Sequence, residues 1–279
     1  MTTVVSAQEL NDSIYQGKNN VVLASLWNDA DTTGYARYRS VHIPTAQFCE
    51  PQTALVGVPG SQQGRNPLPA LPHLQRAIQQ WGLRAGRPVT VYDEGRGLFA
   101  SRAWWILRWA GVDDVRILDG GLQHWEAAGF DSVGGPGNLG TRANVTAEPG
   151  QMPVATVEDV RSRENAPLID FREHNRFIGR REILDLKAGH IPGAVSLPVW
   201  TLMNDDNTFR SPEEIRERFA SVGLTEDNAA SAIVYSGSGI HSSLGLAAMG
   251  HAGLPFAAHF VGGWSLWSAN PANPIALGD

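Results

Sequence analysis

The chain contains itself twice. His42-Ile-Pro44 recurs 148 positions later as His190-Ile-Pro192. Asp93 and Ser236 each follow a Val-Tyr pair and lie 143 apart. Ala110-Gly111, Gly120-Gly121 and Trp125 recur as Ala252-Gly253, Gly262-Gly263 and Trp267, all at a spacing of 142. Matching order with slowly drifting spacing predicts a duplicated domain carrying small insertions, since a repeat this long is no solenoid unit. Glycine and proline crowd the stretch from Ser132 to Gly150, as in a linker. The expected organisation is a first domain over 1–133, a linker over 134–152 and a second domain over 153–279.

Within each copy, short apolar runs alternate with helical patterns. Val21–Ser25, Val89–Tyr92 and Val115–Leu118 read as buried strands of the first copy, and Leu98–Ala110 as a helix. Pro167–Asp170 and Ala232–Tyr235 read as strands of the second. Ser211-Pro-Glu-Glu214 has the N-cap, first-turn proline and capping-box glutamate of a helix start. This alternation predicts an α/β fold: two domains, each a mostly parallel sheet flanked by helices. Ligands of such sheets bind beyond the carboxyl ends of the strands.

At that place in the second copy stands Tyr235-Ser-Gly-Ser-Gly239, followed by a helix from Ile240. Strand, glycine loop and helix can aim backbone N–H groups at an anion, with the helix N-terminus adding partial positive charge. The tight loop reads as Ser236-Gly-Ser-Gly239, and a residue at its first position points into that cradle. Serine at its first position is no nucleophile without a base beside it.

Composition narrows the partners. The 279 residues carry 22 basic and 28 acidic side chains, a net charge of −6, and no basic run, so bulk attraction to nucleic acid or an anionic membrane is not expected. No apolar run reaches transmembrane length and the N-terminus lacks a basic leader pattern, which makes the cytoplasm the default expectation. Cys49 is the only cysteine. It offers no disulfide framework and no thiolate cluster for zinc, and no cofactor or metal signature is found. A free cysteine is usually buried and inert.

These motifs together resemble the tandem-domain rhodanese-like sulfurtransferases, which act on thiosulfate or 3-mercaptopyruvate. Val91-Tyr-Asp-Glu94, Ser101-Arg-Ala-Trp-Trp105 and Leu118-Asp-Gly-Gly-Leu122 resemble the family's non-catalytic first copy. Gly189-His-Ile-Pro-Gly-Ala194, Tyr235–Gly239 and Gly263-Trp-Ser-Leu-Trp-Ser268 resemble its second. The resemblance implies a six-residue loop, Ser236 to His241, whose first position is the family's catalytic cysteine. That cysteine becomes a persulfide and passes sulfur to cyanide, a thiol or a thioredoxin-like acceptor. Gly237-Ser-Gly239 looks like the mercaptopyruvate type of loop, and no basic residue of the thiosulfate type is present in it.

The resemblance also suggests Arg176, in Arg-Phe-Ile-Gly179, as a carboxylate or sulfonate clamp. Arg180 or Arg181 are candidates for a second binding arginine, because the family's acidic-proline stretch is shortened and replaced by Arg180-Arg-Glu-Ile-Leu-Asp185. Ser238, His42 and Asp31 resemble members of a polar relay, against bland readings as a loop-shaping hydroxyl and a structural histidine. Trp27 and Trp200 are candidates to line the cleft, while core packing is the first explanation for the tryptophans in general.

Ser236 in the cysteine position predicts no persulfide-dependent turnover, because an alcohol stays protonated near neutral pH and oxygen cannot replace sulfur in the relay. Two explanations stay open: a serine introduced to trap a complex, or a natural non-catalytic homologue that binds a small sulfur-containing anion or a partner. His241 as a base for Ser236 lacks an evident acidic orienter. A phosphatase reading fails on the missing cysteine and the missing loop arginine.

Overall fold

The computed structural model describes every residue except 1, 19 and 29–31. Asp31 therefore lies outside the described residues. The chain forms two compact units. Unit 1 comprises Met1–Val56, Pro69–Gln151 and Asp205–Thr208, and unit 2 comprises Gly57–Leu68, Met152–Asn204 and Phe209–Asp279. A twelve-residue segment from the first half of the sequence is thus built into the second unit, a crossing that the repeat pattern does not announce.

Unit 1 holds a five-stranded sheet of β1 (Val4–Val5), β2 (Val21–Ser25), β3 (Gln47–Cys49), β4 (Val89–Tyr92) and β5 (Val115–Leu118). The strand order is β1-β5-β4-β2-β3, with parallel pairing throughout. β2 and β4 are buried along their whole length. Strands covered on both faces read as continuous β-branched and apolar runs, which is why Val-Val-Leu-Ala and Val-Thr-Val-Tyr show no alternation. Unit 2 holds β6 (Leu168–Asp170), β7 (Val195–Ser196), β8 (Ile233–Tyr235) and β9 (Ala258–Phe260) in the order β7-β6-β8-β9, again parallel. The fold class expected from the alternation is the one observed.

Helices cover these sheets. Ser211 caps the helix Pro212–Ser221 by the reciprocal bonds read from its sequence, with the Glu214 amide donating to Ser211 Oγ at 3.3 Å and the Ser211 amide to the Glu214 carboxylate at 3.1 Å. The helices Leu98–Trp109 and Ile240–His251 follow β4 and β8, and each starts from a left-handed glycine, Gly97 at φ 72° and Gly239 at φ 82°. A side chain there would be strained, so the tight strand-to-helix turn requires glycine at both places. Trp104, Trp105, Trp125, Trp264 and Trp267 are fully buried, as core packing predicts. Cys49 ends β3, is buried, and burial pushes its thiol well above the ordinary range. An inert thiol is the consequence. Among the described residues, no helix is long and apolar enough to cross a membrane.

Candidate active site

β8 delivers the chain into the loop that begins at Ser236. Two carbonyls of this loop are pinned from the helix Gly263–Ala269: the Trp264 amide donates to Ser236 O and the Ser265 amide to Gly237 O, both at 2.8 Å. Ser243 Oγ donates to Gly239 O at 2.7 Å and holds the far end. The loop therefore owes its shape to backbone bonds, and Ser236 is fully buried at its start.

Unit 1 shows what such a loop does with an anion. Asp93 occupies the position of Ser236 in the first copy of the repeat, and the Leu122 amide donates to its carbonyl at 2.9 Å, as Trp264 does to Ser236. The Asp93 carboxylate is held by four backbone N–H groups: Gly95 at 2.9 Å and Gly97 at 3.0 Å on one oxygen, Phe99 at 2.9 Å and Ala100 at 3.2 Å on the other. The loop and the first turn of the helix thus form a nest for a carboxylate. With Gly97 and Gly239 aligned as N-caps, Phe99 and Ala100 correspond to His241 and Ser242. A serine hydroxyl brings no formal charge to such amides.

Ser236 is engaged differently. Its Oγ lies 3.0 Å from Ser242 Oγ, and Ser242 Oγ lies 2.7 Å from Nε2 of His259 in β9. All three residues are fully buried. The imidazole connected to Ser236 is therefore His259, and not His241, which is half-buried and meets the edge of Trp200 at 5.8 Å between ring centroids. Neither Ser242 nor His259 lies in a sequence motif that points to chemistry. The signal was present in the repeat: the corresponding residues of unit 1 are Ala100 and Ile117, so both polar residues stand where the other copy is apolar.

Over the loop stands a cluster of charged pairs. A Cβ placed on Gly237 would come within 3.0 Å of Arg65 Nη2 and 3.2 Å of Arg176 Nη1, so these two guanidinium groups press on the loop. Arg176 is where the resemblance expects a binding arginine, but it is tied to carboxylates. Its Nη2 donates to both oxygens of Glu182 at 2.9 Å and to Asp185 Oδ2 at 3.0 Å. Arg65 pairs with the other oxygen of Asp185. Arg172 makes a forked, buried contact with Asp170, at 2.6 Å for its shortest arm, and packs under the Trp264 ring at 4.8 Å. Arg65, Arg172 and Arg176 thus face Asp170, Glu182 and Asp185, and their formal charges cancel.

Glu182 anchors this arrangement. Its Oε1 accepts the amides of Ile183, Leu184 and Asp185 at 2.9–3.0 Å. Burial pushes its carboxyl up, but the Leu184 amide and the Arg176 guanidinium outweigh that and hold it below the usual range. Burial likewise works against the charge on Arg172, and the Asp170 carboxylate overcomes it, leaving the guanidinium above its ordinary value.

The remaining expected residues fall in several places. Arg180 and Arg181 are both exposed, and Arg181 lies at a cavity of about 240 Å³ that Arg172, Arg176 and His241 also line. The guanidinium beside Arg176 over Gly237 is that of Arg65, from the crossing segment, and it had no sequence signal of its own. Ser238 Oγ accepts from Asn66 Nδ2 at 2.7 Å, and Asn66 comes from the same segment. His42 belongs to unit 1, where its Nδ1 bonds the Tyr38 carbonyl at 2.8 Å and its ring stacks on Tyr38 at 4.2 Å. His190 repeats this construction on Phe177, at 2.9 Å and 3.7 Å, which marks it as a structural device of the duplicated fold. Trp27 stacks on Phe99 within unit 1.

Known proteins resemble this chain over most of its length. The rhodanese-like domain family matches residues 7–128 and again 154–270. A probable 3-mercaptopyruvate sulfurtransferase of Pseudomonas aeruginosa is 36% identical over 249 residues, covering 87% of this chain and 86% of that protein. A putative thiosulfate sulfurtransferase, SseB, of Mycobacterium tuberculosis is 34% identical over 280 residues, covering 99% and 97%. The crystal structure of SseA from Escherichia coli, a 3-mercaptopyruvate sulfotransferase, superposes with a TM-score of 0.82 at 27% identity, covering 95% of this chain and all of that one. Two matching domains, two parallel sheets and relatives of this kind on both sides of the repeat place the chain in the tandem-domain rhodanese-like sulfurtransferase family.

Proposed function

We propose that the loop from Ser236 to His241 is the anion cradle of a rhodanese-type sulfurtransfer site, with Ser236 standing at the position of the family's persulfide-forming cysteine. The observation that carries this reading is the Asp93 carboxylate, held by four backbone amides in the corresponding loop of unit 1. The corresponding loop of unit 2, one residue shorter between strand and helix, suits the oxyanion of thiosulfate or the carboxylate of 3-mercaptopyruvate. The acceptor would be a small thiol or a thioredoxin-like protein, and the compartment the cytoplasm.

Chemistry then limits what the unaltered chain does. A thiol of ordinary pKa about 8.5 is lowered by a helix N-terminus to a soft thiolate that attacks sulfur. The Ser236 hydroxyl neither ionises in that range nor forms a persulfide. The chain binds the sulfur anion and does not relay its sulfur. Of the two origins for Ser236, the hydrogen-bonded chain to Ser242 and His259 favours a serine native to the protein, because two further buried polar residues are arranged around its hydroxyl.

The test is Ser236→Cys in the full chain, assayed for thiocyanate release from thiosulfate and from 3-mercaptopyruvate in the presence of cyanide. Turnover with one donor in the cysteine variant, and none in the unaltered chain, is the expected result. A cysteine variant silent with both donors removes the sulfur-transfer reading of the loop, and turnover by the unaltered chain removes the account of Ser236.

A further inference from the structure

The duplication supplies an internal control for the buried polar chain of unit 2. Val91 stands opposite Ile117 in the β4–β5 register, and Val234 stands opposite His259 in the β8–β9 register. The glycine N-caps align Ala100 with Ser242. At two positions where unit 1 packs buried Ala100 and Ile117, unit 2 packs buried Ser242 and His259. The fold itself does not ask for polar groups there. Removing a hydroxyl and an imidazole from water is costly unless they are hydrogen-bonded. Here they bond each other, and the chain they form ends on Ser236.

We propose that Ser236 is an acyl-accepting nucleophile whose proton leaves through Ser242 to His259, and that unit 2 hydrolyses small esters or thioesters. A nucleophile connected to a base by hydrogen bonds is the arrangement such chemistry needs. In the tautomer protonated at Nδ1, His259 Nε2 accepts from the Ser242 hydroxyl, and Ser242 Oγ accepts from the Ser236 hydroxyl. Ser236 Oγ adds to the acyl carbon, and the carbonyl electron pair moves onto oxygen. The Ser236 proton passes to Ser242 as the Ser242 proton passes to Nε2. When the carbonyl reforms, the bond from carbon to the leaving sulfur or oxygen breaks. The proton returns along the chain to the leaving thiolate or alkoxide. Water then adds to acyl-Ser236 as its proton passes to Ser242 and the Ser242 proton to Nε2. Collapse breaks the bond from carbon to Ser236 Oγ, which takes the proton back from Ser242 as Ser242 recovers its own from Nε2, releasing the carboxylic acid and restoring the serine with no change of oxidation state.

The amides of His241 and Ser242 correspond to two of the four that hold Asp93, and serve as donors to the developing oxyanion. Ser236 is the catalytic residue, and Ser242 and His259 act through it as positioning residues. Hydrolysis needs the hydroxyl, whereas sulfur transfer needs a thiol, so this activity does not depend on the preceding reading.

The full chain is treated with p-nitrophenyl acetate and, separately, with a fluorophosphonate, followed by intact mass and peptide mapping. A single adduct on the Ser236 peptide is expected, with release of p-nitrophenolate. Ser242→Ala and His259→Ile copy residues that unit 1 already accommodates at these positions. Each is expected to slow adduct formation by about 100-fold, the scale of general-base assistance, and the double variant, which removes the imidazole together with the hydroxyl that bonds it, is expected to keep the melting temperature. Ser242→Thr keeps the hydroxyl and is expected to retain labelling, which a purely structural role would not require. Absence of a Ser236 adduct in the unaltered chain overturns the proposal, as do unchanged labelling rates in Ser242→Ala and His259→Ile. The thiocyanate assay of Ser236→Cys uses neither reagent, so failure of one reading is visible apart from failure of the other.

Discussion

Arg176 and Asp185 meet at 3.0 Å, with 14% and 3% of their side chains exposed. The same carboxylate also pairs with Arg65, so one aspartate ties both guanidinium groups that stand over Gly237. An anion approaching the loop therefore meets arginines already neutralised by their own chain. Binding requires exchange of partners, and the exchange is cheap only if the internal carboxylates are weak competitors.

Removing that competitor should strengthen anion binding. Asp185→Asn keeps the shape and removes the charge, leaving Arg65 with a neutral partner and Arg176 with one carboxylate, Glu182, in place of two. The expected result is sulfate or thiosulfate affinity raised about tenfold, equivalent to about 1.4 kcal/mol, by isothermal titration. Equal or weaker binding would mean that the two arginines serve the loop's structure alone.

Acid should loosen the same cluster through Glu182. Its carboxyl is held below the ordinary glutamate value of 4.5 in the folded protein. A group with a depressed folded value stabilises above its unfolded pKa, and that stabilisation is lost as pH falls through the folded value. Melting temperature should thus be insensitive to Glu182 above about pH 5.5 and should fall below the ordinary carboxylate range. Glu182→Gln should flatten this acid limb of the profile in thermal melts from pH 7 to pH 3. An unchanged limb would assign the acid sensitivity to other carboxylates.

Copying unit 1 into unit 2 should fill the cradle from within. Ser236→Asp places a carboxylate where Asp93 holds one, against amides at a helix N-terminus. Stabilisation of about 1 kcal/mol is expected from charge-assisted bonds of this kind, read as a raised melting temperature. Sulfate binding should be lost at the same time. A destabilised variant that still binds sulfate would show that the two loops are not equivalent as anion nests.

Much of this was legible in the chain because it rests on local chemistry. Val89–Tyr92 and Val21–Ser25 read as buried strands, and they are. Ser211 and Glu214 announced a helix start three residues apart, and Gly239 announced the turn before Ile240. The site was less legible because its partners are remote. Arg65 and Asp185 are 120 positions apart, and Asn66 and Ser238 are 172 apart. Polar residues at such distances carry no periodicity, and only the path of the chain decides that they meet.

The sequence by itself determined the duplication, the alternation that makes two parallel sheets, and the loop beginning at Ser236, since repeats, apolar runs and glycines act over a few residues. Tertiary structure alone decided the company that loop keeps. It brought Arg65 and Asn66 into the second unit, turned Glu182 and Asp185 onto Arg176, and joined Ser236 through Ser242 to His259. The physical reason is that charges and hydroxyls buried together must satisfy one another, and which of them are buried together is a property of packing across the whole unit.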